Sequence, residues 1–166
     1  VAGNVLPPEQ YFFYTYKKSF KNVINPGFAA DLRTAYVYSS SYDPGEGWSS
    51  DEIYPATPLT ETVNLAVFPG GPPSVLSITA SGNTFTSRFL RVNINGSQIL
   101  NDALNFFTAA TKQANLPTAT IGKPGGDQIT ISNISTTETD RMVVASYSIT
   151  YPRKFDFGGN KQFAFQ

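Results

Sequence analysis

The 166-residue chain has no cysteine and no histidine. The first absence removes disulfides, thiolate nucleophiles and cysteine zinc ligands. The second removes the usual general base and the commonest nitrogen ligand for metals. Ser-His-Asp and Cys-His catalysis are therefore impossible within this chain. Charge is also scarce: 14 % of residues are charged, against about 25 % in an average soluble domain. Lys+Arg and Asp+Glu are 12 each, giving zero formal net charge. A nucleic-acid interface needs excess positive charge to displace counterions, and a polybasic membrane patch needs the same, so neither is expected. No apolar run approaches the length of a membrane span. The length suits one domain, 1–166, with a single large core.

What is abundant is turn chemistry and aromatics. There are 13 Gly and 12 Pro, and Phe, Tyr and Trp reach 14 %. Period-2 alternation recurs, and it is the mark of a half-buried strand. Val63, Leu65 and Val67 alternate with polar or small neighbours, and the Pro-Gly-rich stretch 68–73 ends that run. Leu76, Ile78 and Ala80 follow, with a tight turn expected at Ser81-Gly82-Asn83. Leu90, Val92 and Ile94 lead into Asn95-Gly96, the strongest short hairpin signal because both residues tolerate positive φ. A short strand around Gln98 to Leu100 should come next. Ile129 and Ile131 alternate after the glycine-rich loop 122–127. Val143, Ala145, Tyr147, Ile149 and Tyr151 form the longest alternation, so the odd positions should be core and Met142, Ser146 and Ser148 should face elsewhere. Phe163 and Phe165 suggest one more strand.

The first third is less regular. Tyr11 to Tyr16 is almost entirely aromatic, as in a strand buried on both faces, and Tyr36-Val37-Tyr38 reads as a short strand. Asp102 to Gln113 suits a short capped helix or a strand equally well. Eight to ten short strands between Gly/Pro turns specify an all-β fold, a β-sandwich or jelly roll with little helix, with a barrel as the alternative.

Three groups of residues are candidate sites. Asp43, Glu46, Asp51 and Glu52 lie close in sequence and could give oxygen ligands to Ca²⁺, although EF-hand spacing is absent. The plainer reading is a solvated, turn-rich loop. No acidic pair of recognisable glycosidase spacing is present. Trp48, the sole tryptophan, could stack on a sugar ring beside Tyr38 or Tyr42, or fold back as a lid over the core. Arg153 and Lys154, after Tyr151-Pro152, could bind a carboxylate or phosphate, or face water or a neighbouring domain. No catalytic residue and no cofactor is expected.

The passage Ser146-Tyr-Ser-Ile-Thr-Tyr151-Pro-Arg153-Lys-Phe155-Asp-Phe157-Gly-Gly resembles the strand, Tyr-Pro-Arg and aromatic-rich strand that precede the catalytic domain in gingipain-like cysteine peptidases. The nearest members are sortases of the type IX (Por) secretion system. Gly45-Glu46-Gly47-Trp48, followed by the run from Thr60 to Phe68, resembles that family's acidic Gly-aromatic segment. Arg88 to Gly96 resembles its strand ending in Val-Asn-Gly. The histidine usual in that strand is missing, with Arg88 or Phe89 in its place.

The resemblance implies a galactose-binding-like β-sandwich, cut from a longer exported protein whose catalytic Cys and His lie beyond Gln166. The chain would then be a non-catalytic N-terminal accessory domain that packs on or positions the downstream catalytic domain of the same chain. It would be periplasmic, outer-membrane-associated or at the cell surface, and monomeric as a fragment. Arg153, Lys154 and Phe157, with Phe155, would contribute to the interface. Two other functions fit the residues: a carbohydrate-binding module using Trp48 and nearby tyrosines, and a structural subunit of a surface or phage assembly.

Overall fold

The computed structural model describes residues 8–27 and 43–157, and the backbone of 30–31 and 36–37. Its strands in chain order are β1 (Phe12–Ser19), β2 (Val23–Asn25), β3 (Ala30–Asp31), β4 (Tyr36–Val37), β5 (Gly47–Ser49), β6 (Leu59–Val63), β7 (Ser74–Gly82), β8 (Phe89–Ile94), β9 (Ser97–Ala103), β10 (Ala109–Leu116), β11 (Asp127–Ile134) and β12 (Met142–Arg153). One 3-10 turn at Thr118–Thr120 is the only helical element among the described residues. Two four-stranded antiparallel sheets, ordered β1-β12-β7-β10 and β6-β11-β8-β9, face each other as a sandwich. Two small ribbons, β2-β5 and β3-β4, lie apart from the main sheets in the pairing.

The core forms where alternation puts apolar side chains on the facing surfaces. Leu76, Ile78 and Ala80 of β7 meet Leu90, Val92 and Ile94 of β8 and Ile129 and Ile131 of β11 in one buried cluster. The hairpin between β8 and β9 turns at Asn95 (φ 50°) and Gly96 (φ 81°), the pair of left-handed residues that a tight primed turn requires. The Asn95 amide also donates to the Asp127 carboxylate at 2.8 Å and to the Thr120 carbonyl at 2.8 Å, which ties the turn to the next loop. Ion pairs close the two open sides of the sandwich. Lys18 of β1 meets Glu61 of β6 at 3.2 Å, and Lys112 of β10 meets Asp102 of β9 at 3.6 Å.

Several expectations are corrected. Tyr11 to Tyr16 is not buried on both faces: β1 is an edge strand with alternating exposure, and Phe13 is 58 % exposed. Ser81-Gly82-Asn83 is not a tight turn, because β7 continues through Gly82. β6 stops at Val63, although Leu65 and Val67 remain buried. β9 runs on to Ala103, and Asp102 to Gln113 holds the end of β9, a turn and the start of β10 rather than a helix. In β12, Ala145 is bulged out of the register with β7, and the parity of the strand flips there. Met142 and Val144 before the bulge therefore share the core with Tyr147, Ile149 and Tyr151 after it. Val143 is buried outside that cluster, and Ala145 is only half-buried. Phe163, Phe165 and Tyr38 lie outside the described residues.

Candidate functional site

The acidic segment does not converge on a point. Asp43 is buried, and its N–H donates to Glu46 Oε2 at 3.1 Å while its carbonyl accepts the Glu46 N–H at 2.9 Å. Asp51 accepts the Asn22 amide at 2.8 Å. Glu52 accepts the Tyr54 hydroxyl at 2.6 Å and meets Arg141 at 3.0 Å. The Glu52 hydrogen bond, with burial and the Glu52 charge behind it, raises the Tyr54 hydroxyl above its ordinary value. Among the described residues no three acidic side chains are grouped as a metal would need. The local geometry is that of a turn, with Gly45 at φ 85°.

Trp48 is not a lid over the core. It projects from β5 with 54 % of its surface exposed, directly opposite Ile24 of β2, itself 63 % exposed. The pair forms a small apolar face on the β2-β5 ribbon. Tyr42 lies outside the described residues.

Arg153 sits where β12 ends. Its guanidinium lies over the Tyr14 ring at 4.9 Å, and it donates to the Tyr151 hydroxyl at 3.3 Å and to the Asp156 carbonyl at 3.2 Å. Burial raises the Tyr151 hydroxyl above its ordinary value, partly offset by Arg153. A groove of about 310 Å³ runs past Arg153, lined also by Asn64, Leu65, Ala66, Lys123 and Asp156. Lys154 is exposed, and its backbone N–H donates to Ala66. Phe12 of β1 packs against Phe155 at 5.2 Å and Phe157 at 6.2 Å, and Tyr11 stacks on Phe68 at 5.5 Å. Phe155, 49 % exposed, covers Phe12 on the Arg153 side of β1, whereas Phe13, 58 % exposed, projects from the opposite face beside Tyr11. The structure thus brings Arg153 and Phe157 to one end of the sandwich, with the exposed Lys154 between them in sequence. Trp48 and the acidic segment belong to the β5 region.

Sequence reasoning missed the one fully buried ion pair among the described residues. Arg88 donates from Nε to Asp140 Oδ2 at 2.7 Å and from Nη2 to Oδ1 at 2.6 Å, with both side chains at zero exposure. Thr84 and Thr86 donate to the same carboxylate. Burial alone would raise the Asp140 carboxyl, but these hydrogen bonds and the Arg88 charge hold it well below the usual carboxylate range. The signal was phase. Arg88 shares the inward parity of Leu90, Val92 and Ile94, and Asp140 shares that of Met142 and Val144. A charge on an apolar phase must find a buried partner.

No family model matches this chain, and no curated protein matches it by sequence. Solved structures do match in shape. A carbohydrate-binding module, CBM36, in complex with calcium and xylotriose is 12 % identical, with a TM-score of 0.49 over 81 % of this chain and 98 % of that one. The CBM36-1 domain of a multidomain xylanase from the hindgut metagenome of Trinervitermes trinervoides is 10 % identical, with a TM-score of 0.48 over 83 % and 96 %. Dimeric latent PorU from Porphyromonas gingivalis is 8 % identical, with a TM-score of 0.51 over 91 % of this chain, which spans 14 % of that one. At such identities the likeness is one of fold: an all-β, antiparallel sandwich.

Proposed function

We propose that this chain is a non-catalytic accessory domain of an exported, gingipain-like peptidase of the secretion-sortase type. It docks on a catalytic domain of the same protein through the pole formed by β1 and the end of β12. The observation that carries the reading is the half-exposed Phe155, packed on Phe12 on the same face of β1 as Tyr14 and Arg153. An exposed aromatic ring next to Arg153 and Lys154 suits an interdomain contact, which within one chain buries about 600–1,500 Å² and stays fairly polar. The Tyr-Pro-Arg passage and the fold likeness to part of PorU support the same reading. The absence of Cys and His places any cysteine-peptidase chemistry outside this chain. The reading frame beyond Gln166 tests the first half of the claim. A downstream segment bearing His and then Cys supports it, and a frame that closes there overturns it. The docking half is tested by combining Arg153→Glu with Phe155→Ser in the longer protein. Faster limited proteolysis at the domain junction is expected, and an unchanged digestion rate rejects this pole as the docking surface.

A second reading rests on Trp48. An indole half-exposed on a strand is placed to stack on a sugar ring. Because Trp48 is the sole tryptophan, fluorescence excited selectively at the indole, clear of the nine tyrosines, reports that site alone. A saturable emission change with a neutral oligosaccharide would favour a carbohydrate-binding module, and a flat titration would remove that reading.

A further inference from the structure

Two connections carry the chain between the sheets side by side: residues 83–88 from β7 to β8, and residues 104–108 from β9 to β10. They lie beside the start of β12, at the end opposite Arg153. Backbone bonds join them, from Leu104 N–H to the Arg88 carbonyl at 3.0 Å and from Phe106 N–H to the Thr86 carbonyl at 3.0 Å. The Arg88 guanidinium fastens both from beneath, donating to the carbonyls of Leu104 at 2.9 Å, Phe106 at 2.7 Å and Thr84 at 3.1 Å. On the outer side Phe85 and Phe106 are 45 % and 51 % exposed, and Phe89 at the start of β8 is 47 % exposed. Phe85 is held edge-on against Phe107 at 4.8 Å.

Phe106 is the telling residue. Its φ is 55°, in the left-handed region that bulky side chains avoid and that Gly or Asn enters at less cost. Its ring is half in solvent, so core packing does not offset that strain. Both its backbone polar groups are held, the N–H by Thr86 and the carbonyl by Arg88. A strained, exposed aromatic fixed by a buried charge network is a side chain presented for contact.

We propose that Phe85 and Phe106 form an anchor site for a short, uncharged, apolar segment of a partner protein. The charge inventory selects the occupant. Residues 83–88 and 104–108 hold one ionisable side chain, Arg88, whose charge is committed to Asp140 in the interior. Neither connection itself offers a charged segment a free counter-ion. The Thr84 and Thr86 hydroxyls are turned inward to Asp140, and the Asn105 side-chain carbonyl accepts the Arg88 N–H at 3.2 Å. Few polar groups are left to read a sugar, which needs several that converge. Two half-exposed phenyl rings offer on the order of 200 Å² between them, well short of the roughly 800 Å² per partner in a stable dimer. The site therefore fits one inserted segment rather than a second copy.

The test is an amide NMR titration of the 166-residue chain with acetyl-Leu-Phe-amide, and separately with the neutral oligosaccharide cellohexaose. The dipeptide should shift residues 84–89 and 104–108 and leave Trp48 and Arg153 unmoved. Phe85→Ser and Phe106→Gly should each weaken binding at least tenfold. Phe106→Gly relieves the left-handed strain, so its Tm should equal or exceed that of the parent, separating lost binding from lost folding. The proposal is overturned if the dipeptide shifts nothing there, or if only the sugar does. It also fails if dilution alone moves these amides, which would mark a second copy, or if Phe106→Gly binds normally or lowers Tm.

Discussion

Arg88 and Asp140 form a two-point ion pair with neither side chain exposed to solvent, across 52 residues of chain. Arg88 ends the β7–β8 connection and Asp140 precedes β12, so the pair links the two sheets at one pole. Its cost in desolvation is met by near-complete hydrogen bonding on both sides, the condition under which a buried pair is tolerated.

Removing one partner should be severe. Asp140→Asn leaves the Arg88 charge uncompensated in the interior, which typically costs about 3–5 kcal/mol. Urea unfolding should show the midpoint falling with an unchanged slope. A loss below about 1 kcal/mol would mean that water reaches the guanidinium. The pair also sets an acid limit. The folded-state Asp140 carboxyl lies below its ordinary value, so its contribution is complete above the usual Asp range and drains as pH falls below it. The Asp140→Asn variant should lack that part of the acid dependence.

Gly82 gives the same network its space. A Cβ there would stand 1.7 Å from Arg88 Nη1 and 2.0 Å from the Phe106 carbonyl oxygen. The φ of Gly82 is not positive, so the glycine is needed for room rather than for backbone freedom. Overpacking usually costs about 1–3 kcal/mol, and because one obstacle is backbone, Gly82→Ala should reach about 3 kcal/mol. Thermal unfolding of that variant beside Gly96→Ala isolates the steric part. A Cβ at Gly96 meets nothing within 4 Å and suffers only from its φ of 81°.

The fold was legible because alternation reports sheet faces directly. Leu76, Ile78, Leu90, Val92, Ile94, Ile129 and Ile131 are all core, as their period predicts, and Asn95-Gly96 turns as its residue types require. What alternation cannot carry is a change of phase. The bulge at Ala145 is set by how β12 pairs with β7, a long-range fact with no local marker, and it overturned the reading of Met142 and Ala145, while Val143 is buried as expected. Solvent at an edge is equally non-local, so the aromatic run of β1 looked doubly buried. The site was less legible still. Sequence proximity allowed one acidic cluster, but Asp51 and Glu52 answer separate partners in the fold, Asn22 and Arg141.

The bulge makes a comparison within one strand. Ile149 lies in the core at zero exposure, so Ile149→Ala should cost about 2–5 kcal/mol. Val143 is covered but lies outside the central cluster, so Val143→Ala should cost clearly less, about 1 kcal/mol. Equal losses in denaturant titrations would place the phase change elsewhere than Ala145.

Tyr147 sets the alkaline limit. Its hydroxyl donates to Glu61 Oε2 at 2.9 Å, and Lys18 holds the other Glu61 oxygen at 3.2 Å. Burial first, then the Glu61 hydrogen bond and charge, raise this phenol far above its ordinary value. The unfolded chain would ionise Tyr147 near pH 10, whereas the folded one resists. Its contribution is therefore complete below about pH 10 and is lost as pH climbs past that value. Tyr147→Phe keeps the ring and removes the titrating group, so its stability should fall less steeply between pH 9 and 11. The variant also leaves Glu61 with Lys18 alone, which should make the single substitution mildly destabilising at pH 7. Parallel urea titrations across that range decide the matter. If the two proteins lose stability at the same rate above pH 10, the phenol is reached by water and Glu61 does not hold it.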